Sequence, residues 1–210
     1  LETIGISGIP YVHSFGVTDD YIVLMLYPLT IPFDKLVNGR GFLPQLKWDE
    51  SAGSKLVVWD MRLGPSRAPS TWKAPSCWAY HVINAYNEGG IITIDLNAYT
   101  SPEIATGDHG FAYLPNMQGD ADVRAKQERE GGYLRLQVND FGDPTPTRKA
   151  KAQWLDMVDA GCRDWTFELA RINEGRSGKR HRFAYGFTGF AHQQPEGEPN
   201  TFGPGGAVVK

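Results

Sequence analysis

The chain has 210 residues, a formal net charge of −3, 41% apolar and 12% aromatic residues, and 24 Gly and 14 Pro. This length suffices for one domain with a sizeable core, and the many turn-forming residues favour short strands over a helical bundle. The charge excludes a broad basic surface, so nucleic acid is not expected as a partner. No apolar run approaches the roughly 18 residues that span a bilayer.

The cysteines and the chain ends bear on setting and completeness. Cys77 and Cys162 are too few for a disulfide framework, so a reducing, cytosol-like compartment is the default expectation. Residue 1 is Leu, residues 1–9 have the composition of a strand, and residues 206–210 resemble a strand without a turn. We therefore expect an internal piece of a longer protein.

Strand patterns dominate the chain from its start to its end. Runs rich in β-branched and aromatic residues, or alternating apolar and polar residues, predict strands at residues 21–27, 55–61, 77–85, 91–99, 132–138, 165–172 and 181–190. The polar stretch 87–90 contains two glycines and suits a tight hairpin. Residues 120–130 are polar almost throughout and fit either a helix or an exposed loop. Such hairpins are typical of a sandwich, a barrel or propeller blades, and the pattern does not choose among them.

The five histidines are His13, His81, His109, His181 and His192. His13 precedes a strong strand, and His81 lies within an apolar, aromatic strand, where a polar side chain needs a partner. Imidazole suits iron, zinc and copper. His13 and His81 are 68 residues apart in the sequence and form no local metal motif. From the residues alone, a metal ligand and a core histidine bonded to backbone are both open.

Other common chemistries lack their sequence signatures. The chain has no Gly-x-Ser-x-Gly elbow, no phosphate-binding loop and no dinucleotide-binding turn. Cys77 and His81 would lie about 13 Å apart along a strand, at about 3.3 Å per residue, which is too far for a nucleophile and its base. Cys77 is therefore interpreted as structural.

Three ordered segments resemble signature segments of the carotenoid cleavage oxygenases. They are residues 11–18 with the strand that follows, residues 80–89, and residues 167–173 with 178–185. The match covers most of the chain and is weak from residue 100 to 164. The resemblance implies an all-β fold, a seven-bladed β-propeller. Residues 1–210 would then be the central part of a single oxygenase domain, about three blades, with the first and last blades missing.

The resemblance also implies roles for particular residues. Four histidines in that family hold one Fe(II) on the propeller axis, and His13 and His81 match two of them as metal ligands. Glu168 matches an outer glutamate that accepts the remaining N–H of a ligand imidazole, here that of His81. Tyr80 and Tyr99 match positions that line the substrate tunnel, although a core-aromatic role fits them nearly as well. No catalytic side chain beyond the metal centre is implied.

The remaining histidines match no ligand of the family. His109, His181 and His192 are interpreted as structural. With two of the four ligands, the chain alone is expected to be inactive.

The implied function is an Fe(II)-dependent dioxygenase that cleaves a conjugated C=C bond of a carotenoid or apocarotenoid with O2 into two carbonyl products. Its partners would be a lipophilic polyene and O2, with peripheral contact to a membrane. Cleavage of stilbene-type phenolics and retinoid isomerohydrolysis are rivals within the family. A non-catalytic propeller used as a binding module is a rival of another class, and a zinc hydrolase lacks its motif.

Overall fold

The structure, a computed structural model, describes residues 9–37, 45–64, 68–106, 131–139, 148–155, 168–188 and 207–209. Regular structure in these residues is almost entirely β. Two short α-helices accompany the strands, α1 (Phe33–Val37) and α2 (Glu103–Thr106), together with three single-turn 3-10 helices at Glu50–Ala52, Met61–Leu63 and Glu174–Arg176. None of the helices described has the length and apolar composition that crossing a bilayer requires.

Two sheets form from the first part of the chain, and each is antiparallel. A four-stranded sheet has the order β2-β3-β6-β7, with β2 (Gly16–Val17), β3 (Tyr21–Leu26), β6 (Ser54–Asp60) and β7 (Ser70–Ala74). A small sheet has the order β1-β4-β5, with β1 (Ile9–Pro10), β4 (Leu29–Ile31) and β5 (Lys47–Trp48). The segment between β1 and β2, which carries His13, therefore joins the two sheets.

The second part of the chain forms two more antiparallel sheets. A four-stranded sheet has the order β11-β10-β9-β8, with β8 (Trp78–Glu88), β9 (Ile91–Tyr99), β10 (Gly131–Val138) and β11 (Lys151–Leu155). A three-stranded sheet has the order β12-β13-β14, with β12 (Glu168–Arg171), β13 (Tyr185–Thr188) and β14 (Ala207–Val209). His81 lies on β8, an edge strand, and Glu168 begins β12.

One hydrophobic cluster holds the two four-stranded sheets together. It contains Val23 and Leu56 from the first sheet and Ile94 and Leu134 from the second, all fully buried. Burial of such a side chain contributes about 1.5–3 kcal/mol. The core therefore lies between the sheet that follows His13 and the sheet that carries His81, and it keeps both histidines at the margin of one packed unit.

The predicted strands agree with the structure best where both faces are buried. β9 occupies the predicted residues 91–99, and the hairpin before it turns at Gly89 and Gly90, whose φ angles are +60° and +79°. β13 begins only at Tyr185, four residues later than the predicted strand 181–190. The predicted segments 1–8, 120–130 and 165–167 lie outside the described residues.

Candidate metal centre

His81 lies where β8 departs from regular pairing with β9. Ala79 pairs with Ala98 and Val82 with Leu96, so three steps along β8 oppose two along β9. A second shift follows before the next pair, and the 11 residues of β8 thus oppose the nine of β9. Bulges of this kind bend a strand and re-aim its side chains. The His81 side chain is aimed away from the sheet core and remains 34% exposed.

Ser14 ties the segment that carries His13 to this irregular part of β8. Its hydroxyl donates to the Tyr80 carbonyl at 2.7 Å and accepts from the Val82 N–H at 2.8 Å. These two backbone groups flank His81 on either side. Two residues further, the buried Gly16 packs so tightly against β8 that an added Cβ would lie 2.5 Å from the Ala85 Cβ.

The two predicted ligands are brought together by this packing. The ring centroids of His13 and His81 lie 5.2 Å apart, and their planes are nearly perpendicular at 89°. An imidazole–metal bond of about 2.1 Å places a ring centroid roughly 3.3 Å from the ion, so two rings that share an ion lie within about 6.5 Å. The observed spacing meets that condition. Metal ligation itself stays a prediction.

Among the described residues, hydrogen-bond partners of the His13 and His81 rings are found on their Nδ1 atoms and not on their Nε2 atoms. His81 Nδ1 lies 2.6 Å from Glu168 Oε2, and His13 Nδ1 lies 3.2 Å from the Tyr11 hydroxyl. A partner on one nitrogen fixes the ring's orientation and leaves the other to a ligand. Two neutral nitrogen donors suit a divalent transition metal such as iron.

Glu168 is positioned from three directions. Besides His81, it accepts the Tyr99 hydroxyl on Oε1 at 2.7 Å and the Leu169 N–H on Oε2 at 3.0 Å. Leu169 has a φ of +52°, a left-handed conformation that costs a residue with a side chain about 1–2 kcal/mol. The predicted contact of Glu168 with His81 is thus present, with the carboxylate 19% exposed.

The two predicted substrate-lining tyrosines are largely buried, and Tyr80 is in ring contact with both histidines. The Tyr80 ring lies 5.3 Å from the His13 ring, edge to face, and 4.3 Å from the Trp78 ring. Burial, with Tyr11 and the Glu168 carboxylate nearby, raises the pKa of Tyr80.

Tyr99 stacks on Trp78 at 5.4 Å and is 3% exposed. Its hydroxyl donates the hydrogen bond to Glu168 Oε1. Contact of either tyrosine with a substrate remains a prediction.

A second polar cluster lies on the same sheet, away from the paired histidines. Asp95 is fully buried on β9 and accepts Arg135 Nε at 2.7 Å, Arg135 Nη2 at 2.8 Å and the Tyr133 hydroxyl at 2.8 Å. The same hydroxyl lies 3.0 Å from His181 Nε2, and His181 Nδ1 lies 3.1 Å from Asn84 Nδ2. These contacts hold His181 against the sheet and explain why β13 begins after it.

The electrostatics of His181 favour the neutral imidazole. Burial lowers its pKa, the nearby Asp95 carboxylate opposes that shift, and the Arg135 guanidinium reinforces it. Its ring is used by hydrogen bonds to side chains of the sheet, which agrees with the structural role predicted from the sequence. His109 and His192 lie outside the described residues. Within the described ranges, no three His, Cys, Asp or Glu side chains gather as a metal site.

Sequence reasoning missed Ser14 and Leu169. Ser14 follows His13 directly, and a hydroxyl beside a candidate ligand is a signal that could have been used. The left-handed backbone at Leu169 has no sequence signal, because leucine is not a residue that favours it.

Comparisons with known proteins show which family this chain resembles. A profile of the retinal pigment epithelial membrane protein family matches residues 2–208. The mitochondrial carotenoid-cleaving dioxygenase of Mustela putorius furo is 25% identical over 211 aligned residues, which cover 87% of this chain and 38% of the relative. The chain therefore spans well under half the length of that protein.

Solved structures show the fold. Cobalt-substituted Synechocystis apocarotenoid oxygenase matches with a TM-score of 0.64 at 16% identity, over 96% of this chain and 35% of that one. Pseudomonas brassicacearum lignostilbene dioxygenase matches with a TM-score of 0.60 at 20% identity, over 89% of this chain and 34% of that one. The predicted fold, an all-β propeller of which this chain forms a part, is confirmed.

Proposed function

The chain belongs to the retinal pigment epithelial membrane protein family, that of the carotenoid cleavage oxygenases, and on that premise we propose that it is the central part of an Fe(II)-dependent dioxygenase domain. The proposed reaction cleaves a conjugated C=C bond of a carotenoid or apocarotenoid with O2 and gives two carbonyl products. A lipophilic polyene, delivered from a membrane surface, and O2 are the proposed partners.

The observation that carries the proposal is the convergence of three side chains from distant parts of the chain. His13 and His81 stand 5.2 Å apart, and Glu168, 87 residues beyond His81, reaches its Nδ1. The bulges in β8, the hydrogen bonds of Ser14 and the left-handed backbone at Leu169 all lie at the contacts between these side chains. The Nε2 atoms of both rings remain for Fe(II), with further ligands supplied from outside the described residues.

His13 and His81 would hold the iron in such an enzyme, and other residues of this chain have two further tasks. The iron, when bound, supplies an open coordination position at which O2 chemistry takes place. Glu168 keeps the His81 Nδ1 proton in place, so that the ring offers its Nε2 lone pair. Tyr80, packed on Trp78 with Tyr99 stacked on the same ring, would give an apolar, rigid surface against which a flat polyene can be oriented and from which water is excluded.

A stilbene-type phenolic is the second candidate substrate, favoured by the likeness to lignostilbene dioxygenase. The test is to incubate the full-length, iron-loaded protein with a carotenoid, an apocarotenoid and a stilbene and to identify the carbonyl products. Cleavage of a polyene is the expected result. Turnover of the stilbene alone would move the proposal to the second substrate.

Metal analysis separates the enzyme from a non-catalytic propeller. His81→Ala in the full-length protein should abolish iron occupancy and activity together, because it removes one of the proposed ligands. Gln137 on β10, whose side chain bonds Thr93 of the same sheet, offers a control in Gln137→Ala, which should leave iron unchanged. Iron content in His81→Ala equal to that of the control would defeat the iron-enzyme proposal.

A further inference from the structure

The segment that carries His13 makes backbone contacts at both of its ends with strands other than β8. At its start, the Tyr11 N–H donates to the Leu29 carbonyl on β4 at 2.8 Å. At its end, Gly16 pairs with Val23 on β3. These contacts connect the segment to two sheets, neither of which contains His81. They do not by themselves set the distance between the two imidazoles.

Ser14 connects the segment that carries His13 directly to β8, the strand that carries His81. β8 is the edge strand of its sheet, and an edge strand presents backbone groups that its sheet does not pair. In an extended strand the C=O of one residue and the N–H two positions later point to the same side, and these are the groups of Tyr80 and Val82. One hydroxyl is both a donor and an acceptor, so Ser14 satisfies both groups at 2.7 and 2.8 Å.

We propose that Ser14 is a positioning residue that sets the separation and relative tilt of the His13 and His81 imidazoles by clamping the backbone on both sides of His81. Ser14 adjoins His13 in sequence, so the clamp joins the two ligand positions through a few covalent bonds and one hydroxyl. The close approach of Gly16 to Ala85 permits the segment to come near enough for both hydrogen bonds. Glu168 sets the rotation of the His81 ring, and Ser14 sets where that ring stands relative to its partner.

The proposal rests on the proposed function in one respect, namely that the two rings share a metal ion. The experiment uses the full-length protein with Co(II) as the probe, and it measures the dissociation constant by chelator competition and the visible absorption of the bound ion. The matched pair is Ser14→Thr and Ser14→Val, which add the same bulk and differ in the hydroxyl. Ser14→Ala removes the hydroxyl without adding bulk, and His81→Ala reports on the metal site itself.

The expected result is that Ser14→Ala and Ser14→Val bind Co(II) about 10-fold or more weakly, the scale seen for residues that orient metal ligands. Their absorption band should shift, because the ligand geometry changes. Ser14→Thr should recover the band and bind within about threefold of the wild type. In the metal-free proteins, Ser14→Val should unfold at a lower temperature than Ser14→Thr, because it loses both hydrogen bonds. A purely structural role would produce that difference alone and would leave the absorption band unchanged.

An unchanged dissociation constant and band in Ser14→Ala, with binding lost in His81→Ala, would overturn the role of Ser14 and leave the proposed function standing. Unchanged binding in His81→Ala would instead overturn the proposed function. If Ser14→Ala does not fold, Ser14→Cys takes its place with the same expectation, because a thiol of similar size is a weak donor and acceptor.

Discussion

Replacement of Asp95 by Asn should destabilise the chain strongly, although the side chain keeps its shape. Asp95 is fully buried, and its two oxygens accept three hydrogen bonds, two from Arg135 and one from the Tyr133 hydroxyl. The asparagine amide has only one oxygen, so its NH2 group would face a donor of Arg135 or Tyr133. Hydrogen bonds to a charged group contribute about 1.5–3 kcal/mol each. Breaking a buried ion pair on one side costs about 3–5 kcal/mol, and we expect that range for Asp95→Asn.

An exposed ion pair between the same sheet and the segment before β13 is the matched control. Glu88 and Arg180 lie 3.1 Å apart, with side chains 59% and 69% exposed. Such a pair contributes about 0–1 kcal/mol, so Glu88→Gln should change the free energy of unfolding by no more than that. Urea unfolding at pH 7, followed by tryptophan fluorescence, measures both variants. A loss in Asp95→Asn no larger than that in Glu88→Gln would refute the assignment of Asp95 as the centre of a buried network.

Three further perturbations test other parts of the structure. Burial lowers the pKa of His181, so the unfolded chain takes up its proton at a higher pH than the folded chain does. The free energy of unfolding should therefore fall as the pH drops below about 6.5. In urea titrations between about pH 7.5 and 5, His181→Gln should make that fall less steep. A fall of equal steepness in the variant would count against this. Gly16→Ala should cost about 1–3 kcal/mol, because the new Cβ would lie 2.5 Å from that of Ala85, whereas Gly132→Ala meets nothing within 4 Å and should be nearly neutral in the same assay. Glu168→Gln should weaken Co(II) binding about 10- to 100-fold while the metal-free protein still folds, and an affinity equal to the wild type would exclude its role in orienting His81.

The elements that could be predicted from sequence are those whose pattern depends on burial. β9 is buried along almost its whole length, so its residues form a continuous run, and the glycines before it mark the turn. The start of β13 could not be predicted in this way. His181 and its neighbours have strand-like composition, yet hydrogen bonds with Asn84 and Tyr133 on another sheet keep them out of regular pairing.

The residues of the candidate site could be predicted, but the backbone geometry that brings them together could not. His13, His81 and Glu168 were identified through a family resemblance, because separations of 68 and 87 residues carry no local motif. The bulges that aim His81 arise from a mismatch of backbone register between two strands, which side-chain pattern does not record. The left-handed backbone at Leu169 is likewise imposed by its surroundings, since leucine does not favour it.

The most direct measurement is a crystallographic anomalous-scattering map of the full-length protein, recorded on both sides of the iron absorption edge. Shared ligation of one iron ion predicts a peak about 2.1 Å from Nε2 of both His13 and His81, present above the edge and absent below it. A peak that contacts one of these rings alone, or iron bound elsewhere with the two Nε2 atoms facing apart, would contradict it.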